Sequence, residues 1–189
     1  MWDSISFLIL YDFLILSHNW TGFLQLAVHS LLFVATWFPF EMGDSVQPKD
    51  FCYYQIWVSE DGETHFIENK MTGFTLQPYS SKPQLVRSDF GGNPTKLVFT
   101  ELAVGLEQPL HSAPTTQFVV TLSGSWYVKT TDGKKFEFHP GDVLFQDNTK
   151  DSPADKQPQH YSGVVGDKPC RQMIVQLDRK PEVDHPNPF

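Results

Sequence analysis

The run HSAPTTQFVVTLSG, residues 111–124, holds the first side chains in the chain whose types and spacing suggest chemistry. His111 offers an imidazole that can hold a metal or move a proton, and Gln117, six residues on, offers an amide that both donates and accepts. Alternation along a strand places Gln117, Val119 and Thr121 on one face and Phe118, Val120 and Leu122 on the other. A further imidazole, His160, follows the turn Pro140-Gly141-Asp142. Competing signatures are missing from the sequence: no G-x-S-x-G elbow, no phosphate-binding glycine loop, no H-E-x-x-H pair and no reactive-cysteine spacing. Cys52 and Cys170 stand far apart in no zinc-type spacing and read as two buried free thiols rather than a disulfide.

These groups must be positioned by strands. From Asp50 onward, short β-type runs alternate with turn signals: 53–58, 65–67, 74–78, 96–104, 117–122, 126–130, 135–138, 143–147, 161–165 and 171–177. Asp132-Gly133 and Pro140-Gly141 reverse the chain between closely spaced strands, and the glycine supplies the positive φ that the first turn requires. Nothing after Met42 carries a helical period, so the pattern is an antiparallel sandwich or barrel. The net charge of −8, with no basic run, argues against a nucleic-acid surface.

The first 41 residues differ in kind, being rich in Leu, Phe and Trp and free of Lys and Arg. They lack the basic n-region and cleavage site of a secretory signal. Three readings stand: an alternative start at Met42, a membrane anchor over residues 23–40, or a packed segment. A sequon, Asn19-Trp20-Thr21, has meaning only in the anchored or secreted case. The expected location is cytoplasmic, with membrane association through the extension as the alternative. A C-terminal tail is set apart over residues 182–189.

The stretch HSAPTTQFVVTLSG…DGKKFEFHPGDVLFQD resembles the cupins, and in particular a subgroup carrying H-x-A-P-x-x-Q-[FY]-V-x-T-L-S-G. The resemblance implies an all-β, antiparallel jelly-roll barrel over residues 42–181, its two motifs running from Gly105 to Gly124 and from Pro140-Gly141-Asp142 to His160. It also implies a metal site, for which this chain offers His111, Gln117 and His160. Two departures weaken that site: Ala113 stands at the second histidine position and Gln117 at the glutamate position. Two imidazoles and an amide oxygen can hold Fe, Mn, Ni or Zn as divalent ions, at lower affinity than a set with a carboxylate. Asp147, Asp151 or Asp155 would supply one if the loop 148–159 folds inward.

The expected ligand pocket comprises His111, Gln117, Val119, Thr121 and His160, with a small molecule as partner. His18, His29, His65, His139 and His185 lie off the motifs, and Trp57, Trp126, Phe99, Phe136, Phe138 and Phe145 are expected in the core or an interface. Function stays open among a metal-assisted oxygenase, isomerase or lyase, a metal-free binding module, and an interaction scaffold, because jelly rolls host all three. The apolar outer face of Phe118, Val120 and Leu122 calls for a cover, from the chain itself or from a second subunit in a homodimer.

Overall fold

The computed structural model describes residues 51–189. Residues 1–50, and with them the apolar extension, its span over 23–40 and the sequon, lie outside the described residues. Among the described residues no helix is long and apolar enough to cross a membrane.

The chain folds into strands joined by turns: β1 (Cys52–Val58), β2 (Thr64–Lys70), β3 (Thr75–Pro78), β4 (Pro83–Val86), β5 (Pro94–Leu102) and β6 (Glu107–His111). There follow β7 (Gln117–Ser123), β8 (Ser125–Thr130), β9 (Lys135–Phe138), β10 (Val143–Gln146), β11 (His160–Val165) and β12 (Cys170–Leu177). One sheet has the order β2-β1-β10-β7-β12-β5, a second the order β6-β11-β8-β9, and β3 and β4 form a separate hairpin.

Strand pairing alone identifies the topology. From β5 on, the first strand pairs with the last, the second with the seventh, the third with the sixth and the fourth with the fifth, all antiparallel. That is a long hairpin ribbon wound into a double sheet, the jelly roll. One pair departs from the antiparallel expectation: β1 joins the edge of the roll parallel to β10, with Tyr54 opposite Leu144. The parallel pair extends the sheet by using the open edge of β10, and β2 then folds back on β1.

Turn chemistry fixes the corners. Gly124, between β7 and β8, has φ +71°, and a Cβ there would lie 2.3 Å from the Pro169 carbonyl oxygen. Only glycine meets both demands.

Two apolar clusters hold the sheets. Between them lie Ile56, Val119, Trp126, Val128, Phe138 and Leu144. On the outer face of the larger sheet, Tyr53, Met71, Phe74, Phe145, Leu177 and Phe189 form the second cluster, against which Phe118 and Phe90 pack. The Phe118 ring sits 5.2 Å from Phe90 and 5.6 Å from Phe189 between centroids. The cover over Phe118 therefore comes from this chain, while Leu122 remains 46% exposed. Residues 182–189, set apart as a tail in the sequence, form this cover, tied down by Gln55 and Tyr53. Phe99, expected in a core or interface, stands exposed on the outer face of the edge strand β5.

Candidate functional site

The barrel encloses an open-mouthed cavity of about 540 Å³, within the range of small-molecule sites. Its larger wall is built by alternation: Gln172, Ile174 and Gln176 of β12, and Gln117 and Val119 of β7, face inward at every second position. The facing wall brings Gln108 and His111 of β6, Trp126 of β8, and His160 and Ser162 of β11. Four of the five expected pocket residues thus line one cavity: His111, Gln117, Val119 and His160. Thr121 does not line it. One step deeper, its hydroxyl accepts the Trp126 Nε1–H at 2.9 Å and fixes that indole in the wall.

The loop after β10 delivers His160 because it is stitched to its neighbours. Ala113 N–H donates to the Asn148 carbonyl at 2.9 Å, Ser112 Oγ to the Pro158 carbonyl at 2.6 Å and Thr64 Oγ1 to the Gln159 carbonyl at 2.8 Å. His160 opens β11 directly opposite His111, and the two rings lie 4.3 Å apart between centroids.

A file of amides leads to this pair. Gln176, Gln117 and Gln146 occupy one rung across β12, β7 and β10. Gln176 Nε2 donates to Gln117 Oε1 at 3.3 Å, and Gln117 Nε2 to Gln146 Oε1 at 2.7 Å. Gln146 then presents Nε2 to His160 Nε2 at 3.4 Å, while the Asn148 side-chain amide faces His160 Nδ1 at 2.8 Å. A neutral imidazole has one N–H and one lone pair. The lone pair therefore meets the Gln146 donor at Nε2 and Nδ1–H needs an acceptor; the Asn148 amide, whose nitrogen is placed against Nδ1, supplies one once it is assigned end for end. That orientation also gives a partner to the Asn148 oxygen, otherwise buried without one. Burial, and secondarily the neighbouring His111, pushes the pKa of His160 down to about 3. His111 donates Nδ1–H to the Pro109 carbonyl at 2.7 Å, which leaves Nε2 as a lone-pair donor.

Two further features complete the cavity. Gln172, 4% exposed, lines it with an Nε2 that has no hydrogen-bond partner among the described residues. Burial raises the adjacent Cys170 thiol to about 11, and the Gln172 side chain pulls it partly back, although Nε2 completes no hydrogen bond to the sulfur. Lys96 is the single charged side chain among the described residues that line the space. Asp147, Asp151 and Asp155 contribute no carboxylate to it. Asp147 faces the opposite side of its strand, where Thr116 Oγ1 and Glu182 N–H donate to it, each at 3.3 Å. Among the described residues no three His, Cys, Asp or Glu side chains gather into a metal-type group. Cys52 and Cys170 are free thiols.

A serine, a histidine and an aspartate also meet elsewhere. Ser59 Oγ lies 3.1 Å from His65 Nε2, and His65 Nδ1 lies 3.1 Å from Asp132 Oδ2. Here the hydroxyl also donates to Asp61 Oδ1 at 2.6 Å, and Glu60, Glu63, Asp155 and Asp184 ring the shallow surface. A field of carboxylates opposes a developing oxyanion, so the arrangement ties two turns together rather than activating a nucleophile.

No family model matches the chain. No curated protein matches it either. Among solved structures it is similar to a protein from Neisseria meningitidis, with a TM-score of 0.32, 11% identity, and coverage of 49% of this chain and 88% of that one. It is also similar to a cupin-2 domain protein from Shewanella frigidimarina, with a TM-score of 0.31, 13% identity, and coverage of 49% and 84%. At these values neither match adds to what the strand pairing establishes. The barrel is an all-β jelly roll.

Glutamines 108, 146, 172 and 176 escaped the sequence reading. The available signal was their placement inside apolar runs: RQMIVQL sets two amides on the same face as Ile174, a face that strand alternation would otherwise make apolar.

Proposed function

We propose that the barrel binds a small polar organic molecule through amides and imidazoles, without a resident metal. The observation that carries this reading is the file Gln176–Gln117–Gln146–His160 along one side of the cavity. Gln176 spends one donor on its neighbour, Gln117 and Gln146 each accept once and donate once, and each amide nitrogen keeps a second N–H for a guest. Such a surface matches hydroxyl and carbonyl groups, which also donate and accept.

The donor set does not fit a tightly held divalent ion. The Gln117 and Gln146 oxygens already accept hydrogen bonds, and Nδ1 of His111 is committed to Pro109. No carboxylate among the described lining residues offsets a double positive charge.

His111 supports a second reading. A neutral imidazole whose Nδ1–H is tied to a carbonyl has the tautomer a general base needs, with the lone pair on Nε2. Proton abstraction from a bound substrate, as in an isomerase or lyase, would use that nitrogen.

The test is calorimetric titration of the protein with a panel of uncharged, acidic and basic polar small molecules, before and after dialysis against a strong chelator. Expected is binding of at least one class that survives chelation. Binding that vanishes on chelation and returns with a divalent ion would replace this reading with the metal-dependent one.

A further inference from the structure

The cavity's unspent groups narrow the guest. Gln172 Nε2 is a buried donor that completes no hydrogen bond, with only the weakly accepting Cys170 sulfur beside it, which costs free energy until a better acceptor arrives. Four residues along the same strand, Gln176 pairs across to Lys96, while Gln172 pairs across to Thr100. At roughly 3.3 Å per residue these two rungs lie about 13 Å apart. The cavity thus has a neutral donor on one rung and a cation on another.

Between them the wall mixes amides with Val98, Leu102 and Ile174. That pattern suits a carbon chain or ring with hydroxyls on its edges and C–H groups on its faces. Charge decides the rest. Lys96 is unopposed, since no carboxylate occurs among the described lining residues, so a ligand anion is favoured there and a ligand cation is not.

Resting on the reading of the barrel as a binding pocket, we infer that the guest is a polyhydroxylated monocarboxylic acid, its carboxylate at Lys96 and a hydroxyl or carbonyl oxygen accepting from Gln172. An extended chain of about six carbons, with the reach of the lysine and glutamine side chains added, spans the two rungs. A dicarboxylate would place a second charge among amides with no cation to meet it, and a bare fatty acid would leave the amide file unmatched.

The experiment is titration calorimetry at pH 7 with gluconate, sorbitol and glucamine, three open six-carbon polyols that differ chiefly in the charge at one end. Gluconate is expected to bind at least tenfold more tightly than sorbitol, and glucamine more weakly than either. Lys96→Met, at an exposed position, should bring the gluconate-to-sorbitol ratio to near one. Gln172→Leu should weaken gluconate at least tenfold, with unfolding measured alongside to show that the variant is folded. Sorbitol binding as tightly as gluconate, or a ratio unmoved by Lys96→Met, overturns the acid while leaving the pocket intact. Binding of other polar molecules with none of these three also overturns the acid alone. Failure of all three together with the whole wider panel overturns the pocket reading itself.

Discussion

Two buried groups with opposite titration behaviour sit on consecutive stretches of chain, and their balance can be measured. Burial depresses the folded pKa of His160 to about 3 from an ordinary 6.5. Its contribution to stability is complete above 6.5 and is lost as pH falls toward the folded value, because the unfolded chain takes up the proton first. Asp147, 1% exposed, behaves in reverse: burial raises it to about 6 from 3.8, against the Glu182 N–H, Arg179 and Thr116, which pull it down. Its contribution is present at low pH and is lost as pH rises through the folded value. Between pH 7 and pH 5 the linkage relation gives a loss of about 2 kcal/mol through His160 and a gain of about 1 kcal/mol through Asp147. The second offsets about half of the first, leaving a net loss.

Urea unfolding at both pH values, followed by tryptophan fluorescence, should therefore show three different slopes. Relative to wild type, His160→Gln should gain about 2 kcal/mol on going from pH 7 to pH 5, and Asp147→Asn should lose about 1 kcal/mol. All other titrating groups are common to the three proteins and cancel in the differences. Parallel profiles for wild type and His160→Gln would mean that the imidazole is not held neutral by burial, and the proton assignment along the amide file would fall with it.

Other outcomes are expected from single changes. Gln117→Glu places a carboxylate in the cavity that His160 and His111 also line and should tighten Zn²⁺ or Mn²⁺ binding at least tenfold, about 1.4 kcal/mol, by calorimetry; unchanged affinity would show that the two imidazoles cannot share an ion with position 117. Phe189→Ala removes a 6% exposed ring within 4.8 Å of Phe145 and 5.3 Å of Phe90, and should cost about 3–4 kcal/mol in urea unfolding; a loss below about 1 kcal/mol would make the tail an ornament rather than a cover. Gly124→Ala, at φ +71° and against the Pro169 carbonyl, should cost at least about 2 kcal/mol by the same measurement.

The barrel was legible because its corners are written in short-range chemistry. Asp132-Gly133 and Pro140-Gly141 mark reversals whichever strands they join, and alternation in QFVVTLS fixes which residues face in. β6 was not legible: Glu107–His111 carries a proline, which reads against a strand, and is tolerated because β6 lies at a sheet edge. The parallel pairing of β1 with β10 leaves no local trace, since it joins segments some ninety residues apart. The role of the tail was hidden for a related reason. HPNP is turn chemistry, with Asn187 at φ +61°, and only the three-dimensional path shows that the turn aims Phe189 into an aromatic cluster. His111, Gln117 and His160 could be placed near one another from motif order, whereas the amides that occupy the space between them come from strands adjacent only in the sheet.

Gln172 separates stability from function in a way that tests the whole reading. A buried amide N–H without a partner costs on the order of 1–3 kcal/mol relative to a satisfied one, and nothing in the described fold offsets it. Its neighbours on the wall, Val98, Ile174 and Leu102, would accept an apolar side chain. Gln172→Leu should therefore leave the free protein as stable as wild type or more stable by about 1 kcal/mol, while ligand binding weakens. A group that serves the fold would give the opposite result: a loss of more than about 1 kcal/mol on replacement, with affinity changed only in step with stability. Urea midpoints and calorimetric affinities measured on the same variant distinguish the two cases, because a donor kept for a guest weakens the empty barrel and strengthens the filled one.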